Sequence, residues 1–385
     1  MSQKSKTEYL QEILERYKKA GKEVKRKILD EFCTVCSYHR KYAIKLLNQS
    51  PLQDTNKQRN KAGRKKKYHT EGVINFLKTL WKKTNLICSD RLKAAIPIWL
   101  PIYKKSISSL SAKDEELLRK ISPATIDRIL SKFRGKYTKR GLCTTRPGSI
   151  IRNLIPIKTN QWDENRPGFI EVDLVAHCGT SVAGEYINTL DIVDIATGWT
   201  SQRAVWGKGE ANTFKAIREI ELTLPFKIRG FDSDIGKEFM NYKLLKYFKN
   251  RKMPVDYTRS RAYNKNDNAH IEEKNWTVVR QYIGYDRLNN PEQLELLNDL
   301  YRNDLNYFLN YFLPSMKLIS KERQGSKIKK KYDKAKTPFQ RLFELPGIDE
   351  DKKLELLRIS NRLDPFKLQR NIERKIRLIL KLSVK

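Results

Sequence analysis

The stretch PGFIEVDLVAH, residues 167–177, decides the fold of this chain. Ile170, Val172 and Leu174 alternate with Glu171 and Asp173, which is the pattern of a half-buried β-strand. Acidic residues are depleted in strands. An Asp in the middle of a strand, on the face opposite the apolar residues, is therefore poorly explained by folding alone. A carboxylate held on so rigid an element is well placed to bind a metal ion.

The residues that follow predict the rest of a sheet. EYINTLDIVDIATGWTSQRAVW, residues 185–206, indicates two strands joined by a turn near Gly198, and we expect Asp191 and Asp194 there to be structural. An amphipathic helix over 211–224 precedes KIRGFDSDIGKEF, residues 227–239, which predicts a fourth strand ending in a tight loop at Gly236. This order of strands and helices predicts an α/β fold with a mixed sheet flanked by helices.

Two further acidic positions join Asp173. Asp234 lies in the loop after the fourth strand, and Glu272 lies in the first turn of a helix predicted to begin near residue 269. Asp232 and Glu273 stay open as substitutes for these neighbours. Carboxylates converging from separate elements suit Mg²⁺, which needs hard oxygen ligands and room for water and a substrate phosphate.

Composition indicates a polyanionic partner. The chain has 385 residues, with 79 Lys and Arg against 44 Asp and Glu, a formal net charge of +35. An excess of this size favours the phosphate backbone of nucleic acid over a merely solvated surface. The longest apolar run, 94–103, is broken by Pro97 and Pro101 and is too short for a bilayer, and no secretory signal opens the sequence. We expect a cytosolic protein.

The five cysteines do not suggest a disulfide framework, because their number is odd and their spacing uneven. Cys33 and Cys36 form a CxxC with His39 beyond, which admits a zinc interpretation. Since no second ligand pair follows at finger spacing, small buried hydrophobes in a helical turn are the favoured interpretation.

A change of period from helical to strand-like marks a domain boundary near residue 150. Val24, Ile28 and Phe32 predict one helix, and a break near 34–37 followed by YHRKYAIKLL predicts a basic second helix, which together suggest a helix-turn-helix. Ser122 and Pro123 predict the start of another helix, either the recognition helix of a second such unit or a plain surface helix. The predicted regions are an N-terminal helix-turn-helix (1–55), a basic linker (56–68), a second helical DNA-binding domain (69–148), a linker (149–164), a catalytic core (165–315) and a basic C-terminal region (316–385).

The three acidic motifs together resemble a known family. FIEVDLVAH around Asp173, FDSDIGKEF around Asp234 and RSRAYNKNDNAHIEEKN around Glu272 are similar to the motifs of integrase-core DDE transposases of bacterial insertion sequences. Those enzymes are relatives of retroviral integrases with a ribonuclease H-like five-stranded fold. The resemblance covers residues 165–315, and 37 residues separate Asp234 from Glu272, an interval close to that of the family. Ile235 departs from the family, which often has Asn at that place.

The resemblance implies cleavage and joining of DNA by two metal ions, Mg²⁺ or Mn²⁺, without a covalent enzyme intermediate. Asp173 would bridge both ions, Asp234 would bind one and Glu272 the other. His270 is a candidate contact for the scissile phosphate or the attacking water, although a histidine at a helix N-terminus is more often a loop contact. The partners implied are element-end and target DNA and further copies of the chain, because two DNA ends must meet. Basic residues expected to contact DNA, or else to be solvated charges, are Lys265, Lys274, Arg280, Arg128, Lys132, Arg40 and Lys41.

The basic run KIKKKYDKAK, residues 327–336, is either a nonspecific DNA grip, a subunit contact or a disordered solvated tail. Two rival functions remain open at the level of sequence. One is a noncatalytic DNA-binding regulator, and the other is a nuclease of the same fold that hydrolyses DNA without joining strands.

Overall fold

The computed structural model describes residues 1–48, 67–133, 164–234, 236–259, 269–324, 327–346 and 348–383. The chain forms two compact units, Met1–Lys65 and Lys66–Lys385, and their division falls inside the predicted basic linker. The finer domain boundaries stay predictions, and most of both predicted linkers lies outside the described residues. Within the described ranges, no helix combines the length and the apolar character needed to span a bilayer.

The N-terminal unit is a small three-helix cluster. Helices α1 (Gln3–Lys19), α2 (Lys22–Cys36) and α3 (Arg40–Leu47) enclose a core that includes Phe32 and Cys36, both fully buried. The turn between α2 and α3 begins at Ser37, whose φ of 55° ends α2. The predicted break is therefore present but about three residues later. Val24 was expected on the apolar stripe and is instead 53% exposed.

The CxxC motif serves this core. Cys36 lies in the hydrophobic cluster and Cys33 packs against it, while His39 Nδ1 accepts a hydrogen bond from the Lys41 backbone N–H at the start of α3. Among the described residues there is no cluster of three His, Cys, Asp or Glu side chains placed to share a metal ion. The burial of Cys36 and the packing of Cys33 agree with the interpretation of these cysteines as small buried hydrophobes.

The second unit opens with helices α4 (Glu71–Lys83), α5 (Ser89–Ser106), α6 (Ala112–Lys120) and α7 (Pro123–Leu130). The i, i+3, i+4, i+7, i+8 spacing of five apolar residues in the sequence predicts a core-facing stripe on α4, and all five are buried: Val73, Phe76, Leu77, Leu80 and Trp81. The predicted start of α7 is also confirmed, because the Ser122 side chain accepts from the Thr125 N–H and Pro123 occupies the first helical position.

Five strands form the central mixed sheet. They are β1 (Phe169–Ala176), β2 (Ile187–Asp194), β3 (Thr200–Trp206), β4 (Gly230–Ser233) and β5 (Asp256–Arg259), in the order β3-β2-β1-β4-β5. Strands β1, β2 and β3 pair antiparallel, whereas β4 and β5 run parallel to β1. Helix α8 (Glu210–Glu221) connects β3 to β4, and α9 (Tyr242–Lys249) connects β4 to β5. The predicted α/β class with a mixed five-stranded sheet flanked by helices is confirmed.

A long, interrupted helical segment follows. Helix α10 (Ala269–Lys274) continues through a π-helical turn (Asn275–Arg280) into α11 (Gln281–Ile283). Helix α12 (Pro291–Leu300) likewise passes through a π-helical turn (Tyr301–Leu305) into α13 (Asn306–Phe312).

Asparagines of this second segment cover the outer edge of β3. Asn310 exchanges two hydrogen bonds with the backbone of Thr200, at 2.9 and 2.8 Å, and Asn298 does the same with Ala204, at 2.9 and 3.1 Å. Asn306 Oδ1 accepts from the Gln202 N–H at 3.4 Å. Amide side chains thus satisfy backbone groups that an edge strand leaves unpaired.

The C-terminal region is folded. It consists of β6 (Leu318–Gln324), β7 (Lys327–Tyr332), α14 (Pro338–Glu344), α15 (Glu350–Arg362) and α16 (Pro365–Lys381). The ring of Phe366 lies 5.1 Å from that of Trp99 in α5 and is 2% exposed, so α16 belongs to the same core as the sheet. The run 327–336 begins as a strand, so the disordered-tail interpretation does not hold for residues 327–332.

Candidate active site

One face of the sheet carries an uninterrupted row of polar side chains. In the register of the sheet, Asp173 lies opposite Asp191 of β2, and Glu171 lies beside Asp232 of β4. Because side chains alternate along a strand, Glu171 and Asp173 share a face, and Asp234 follows Asp232 on that same face. The row runs, from edge to edge, through Gln202, Asp191, Asp173, Glu171, Asp232 and Thr258.

Asp173 and Asp234 form a repelling carboxylate pair beside the carboxyl end of β4. Asp173 Oδ1 accepts from the Leu174 N–H at 2.7 Å, and Asp234 Oδ1 accepts from the Gly236 N–H at 3.0 Å. Burial raises the pKa of Asp173, and the nearby charge of Asp234 raises it further. Burial also raises the pKa of Asp234. A cation between two carboxylates confined in this way would stabilise their ionised form.

Helix α10 and its π-helical continuation lie over this face. The Ile271 backbone N–H donates to Glu171 Oε2 at 2.9 Å, and Asn275 Nδ2 donates to Asp173 Oδ2 at 2.7 Å. Residues four apart share a helix face, so these two contacts fix which side of the helix meets β1. Asn275 was not among the predicted site residues. Its spacing of three residues from Glu272 was visible in the sequence, but its partner was not.

Glu272 lies next to that contacting face and is exposed. Being three residues before Asn275, it is one helical turn from the residue that holds Asp173. The three predicted ligands nevertheless do not form a shared metal cluster, since the part of the chain that the structure describes contains none. The structure brings Asp173 and Asp234 together and leaves Glu272 beside them.

A fourth carboxylate, Glu238, adjoins the loop of Asp234. A Cβ atom added at Gly236 would lie 2.6 Å from the Glu238 carboxyl carbon, so the Glu238 carboxylate lies directly against the Gly236 backbone. Burial raises the pKa of Glu238, and the charge of Asp234 raises it further. The sequence signal for Glu238 was its place in the Asp-x-Gly-x-Glu pattern. Ile235, the residue that departs from the family motif, lies outside the described residues.

The two acidic residues expected to be structural differ in position. Asp194 holds the turn after β2, because its carboxylate accepts from the Gly168 N–H at 2.7 Å and from both the N–H and the hydroxyl of Thr197. Asp191 lies within β2, accepts from Thr200 and Gln202, and has a pKa raised to about 7 by burial. Asp194 therefore stabilises the turn, whereas Asp191 extends the polar row.

Four basic residues were predicted beside the site. Lys265 lies outside the described residues, and for His270 the structure describes the backbone in α10 and not the side chain. Burial lowers the pKa of Lys274 to about 8. Arg280 donates to the carbonyls of Ala176, at 2.8 Å, and Gly284, at 3.3 Å, so its guanidinium supports the protein backbone.

The other predicted DNA contacts lie on separate helices. Arg128 and Lys132 are exposed in the second unit, and Arg128 bonds the Thr125 hydroxyl at 3.2 Å. Arg40 and Lys41 are exposed at the start of α3 in the N-terminal unit, where Arg40 pairs with Asp30. Their roles toward DNA stay predictions.

Comparison with known proteins identifies a relative along nearly the full length of the chain. The uncharacterized protein y4rM of Sinorhizobium fredii is 36% identical over 345 residues, which cover 89% of this chain and 96% of that protein. The chain belongs to the y4rM family. Because that relative is itself uncharacterized, membership assigns no activity. No protein-family model matches the sequence.

Two retroviral structures are similar in part. The integrase catalytic core domain of HTLV-2, in complex with magnesium, is 15% identical, covering 39% of this chain and 90% of that one, with a TM-score of 0.28. A chain of the simian T-cell lymphotropic virus intasome, in complex with the PP2A regulatory subunit B56 gamma, is 13% identical, covering 65% and 77%, with a TM-score of 0.32. Superpositions this loose assign no activity to the y4rM family.

Proposed function

We propose that the chain is a metal-dependent DNA transposase or integrase that cuts DNA and joins the ends to a target. The observation that carries the proposal is the pair of Asp173 and Asp234, held side by side with raised pKa values under the helix that bears Glu272. Folding alone gives no reason to place two repelling carboxylates beside each other at a strand end.

The donor set suits Mg²⁺ or Mn²⁺. Both Asp side chains offer hard oxygen ligands, and Mg²⁺ is commonly held by one or two carboxylates together with water and substrate phosphates. Asp173 and Asp234 would hold the metal, with Glu272 as the proposed third ligand. A metal held by these residues would supply activation of water or a DNA 3′-hydroxyl for in-line attack and stabilisation of the leaving oxygen.

The protein's own contribution is positioning and charge. Asn275 fixes one oxygen of Asp173, and the Gly236 N–H fixes one oxygen of Asp234, so both carboxylates are oriented before any ligand arrives. The net charge of +35 attracts DNA and favours its approach. Two DNA ends must be held together for joining, so we propose that the active form is a homo-oligomer acting on DNA in the bacterial cytosol.

A strand-transfer assay tests the proposal. Labelled duplexes from the DNA that flanks the coding sequence are incubated with supercoiled plasmid and Mg²⁺ or Mn²⁺, and joined products are counted. We expect Asp173→Asn, Asp234→Asn and Glu272→Gln each to abolish joining while DNA binding persists. Glu273→Gln is the matched control, because Glu273 is the next residue on the same helix and is equally exposed.

The rival functions give different results. Cleavage without joining by the natural chain would identify a nuclease of the same fold. Binding without cleavage or joining in either metal would identify a DNA-binding regulator and overturn the proposal. Loss of activity in Glu273→Gln with full activity in Glu272→Gln would move the third ligand by one residue.

A further inference from the structure

Strands β6 and β7 form a ribbon that the proposed chemistry does not use. The two strands pair with each other as a separate two-stranded sheet, with Lys321 opposite Lys330 and Glu322 opposite Lys329. An isolated two-stranded hairpin is marginally stable at best. The ribbon therefore needs either an anchor or a partner to stay ordered.

The anchor is at the root of the ribbon. Arg341, 8% exposed, pairs with the Asp333 carboxylate and donates to the Ser315 carbonyl at 2.8 Å. Asp333 also accepts from the Lys317 N–H at 2.7 Å, and Lys317 Nζ donates to the Ala196 carbonyl at 3.0 Å. Both strands thus leave the core from a fixed base beside the turn between β2 and β3.

Beyond this base the ribbon carries an excess of positive charge. Residues 318–332 contain six Lys or Arg and one Glu. Lys329, Lys330 and Lys331 are exposed, and none of them has an ion-pair partner within the described ranges. A ribbon that is anchored at its base and carries the exposed Lys329, Lys330 and Lys331 beyond it is matched to a polyanion.

We propose that the β6–β7 ribbon is a DNA-binding arm that contacts phosphates through Lys329, Lys330 and Lys331, without reading sequence. The major groove of DNA admits a two-stranded ribbon. Successive side chains point to opposite faces, so Lys330 lies on one face and its two neighbours on the other, which suits a groove with phosphates along both walls. A second copy of the ribbon is a poor partner because it carries the same charge.

The test is the salt dependence of DNA binding by the full chain. A fluorescein-labelled 30-bp duplex of arbitrary sequence is titrated without divalent metal at several NaCl concentrations. The slope of log K against log salt is negative, and each lost phosphate contact reduces its magnitude by about 0.9. The combined variant Lys329→Gln, Lys330→Gln and Lys331→Gln should therefore reduce the magnitude of the slope by roughly two to three. Binding at about 100 mM salt should weaken by roughly tenfold or more.

A control variant removes the same charge elsewhere. Lys246, Lys249 and Lys252 are exposed in and after α9, and their combined change to Gln should leave the slope within about one unit of the natural chain. Changing the three ribbon lysines to Arg should preserve binding, and the thermal midpoints of all variants show whether each one folds. This inference does not depend on the proposed catalysis, because binding is measured where no reaction can occur.

Three results would overturn the proposal. One is a ribbon variant that binds with the slope and affinity of the natural chain, and another is a control variant that loses as much as the ribbon variant. The third is a ribbon variant that keeps its DNA affinity and changes its mass in light scattering, which would identify the ribbon as a surface between copies.

Discussion

Replacing Asn275 by Ala should change the ionisation of Asp173 while leaving the fold nearly as stable. The lost hydrogen bond, 2.7 Å from Nδ2 to Asp173 Oδ2, favours the ionised carboxylate. Hydrogen bonds to charged groups contribute about 1.5–3 kcal/mol, and one pKa unit corresponds to about 1.4 kcal/mol. The pKa of Asp173 should therefore rise by about one to two units.

The stability of this variant should change little, because two effects oppose each other. Asn275 Oδ1 is buried and has no hydrogen-bond partner among the described residues. Removing an unsatisfied buried oxygen removes a desolvation penalty of about 1–3 kcal/mol, which is comparable to the stability lost with the hydrogen bond. The urea midpoint of Asn275→Ala should lie close to that of the natural chain.

Binding of Mn²⁺ to the full chain, followed by electron paramagnetic resonance from pH 5 to 9, checks the reasoning. Protons and metal compete for Asp173, so a higher pKa moves the pH of half-maximal binding upward by about one to two units. Thr277→Ala is the control, since the Thr277 hydroxyl is exposed and donates to the Glu273 carbonyl of the same helix. A pH profile of Asn275→Ala that coincides with that of the natural chain would refute the assigned role.

Three further predictions concern stability, each measured by urea denaturation. Burial lowers the pKa of His177 to about 3. Between about pH 6.5 and pH 3 the folded state therefore binds fewer protons than the unfolded state, and this group lowers the free energy of unfolding by about 1.4 kcal/mol for each pH unit of acidification. His177→Gln should reduce this loss of stability in acid. Asn310→Ala leaves the N–H and C=O of Thr200 unpaired at a buried edge and should cost about 2–4 kcal/mol. Phe366→Ala removes a ring that packs on Trp99 and should cost about 3–5 kcal/mol.

Matched controls separate these effects from general damage. His69 and Asn303 are exposed, and Leu378 is 44% exposed on the same helix as Phe366. The control variants His69→Gln, Asn303→Ala and Leu378→Ala should therefore each lower the free energy of unfolding by less than about 1 kcal/mol. If the free energy of unfolding of His177→Gln changed between pH 7 and pH 4.5 by as much as that of the natural chain, the first prediction would be contradicted. Costs below about 1 kcal/mol for Asn310→Ala or Phe366→Ala would contradict the other two.

The sheet was predictable because its signals are local. Alternation around Asp173, the turn near Gly198 and the loop at Gly236 each occupy a few residues, and together they place all three strands of the meander and the acidic loop. The stripe of α4 and the cap at Ser122 were readable for the same reason. The pairing of Asp173 with Asp234 was expected from the resemblance of their motifs to an integrase core, because parity placed only Asp232 and Asp234 on a common face.

What the sequence did not reveal depends on distant partners. Asn275 reaches Asp173 across 102 positions, and Trp99 meets Phe366 only because α16 returns to α5. Patterns within one segment cannot show which other segment it meets. The sequence therefore predicted only a basic C-terminal region and did not show that this region packs into the core. The expectation that Val24 lies on a buried stripe was wrong for a related reason. Helical spacing identifies a face of the helix without showing whether a neighbouring element covers all of that face.

The asparagines along β3 limit how copies of this chain can assemble. A free sheet edge is the usual place for a strand of another molecule to add, but the backbone of Thr200 and Ala204 is already matched by Asn310 and Asn298. Continuing the sheet at this edge would require those amides to withdraw first. In the homo-oligomer proposed above, we therefore expect copies to meet through helices, loops or other surfaces rather than by adding a strand at the β3 edge.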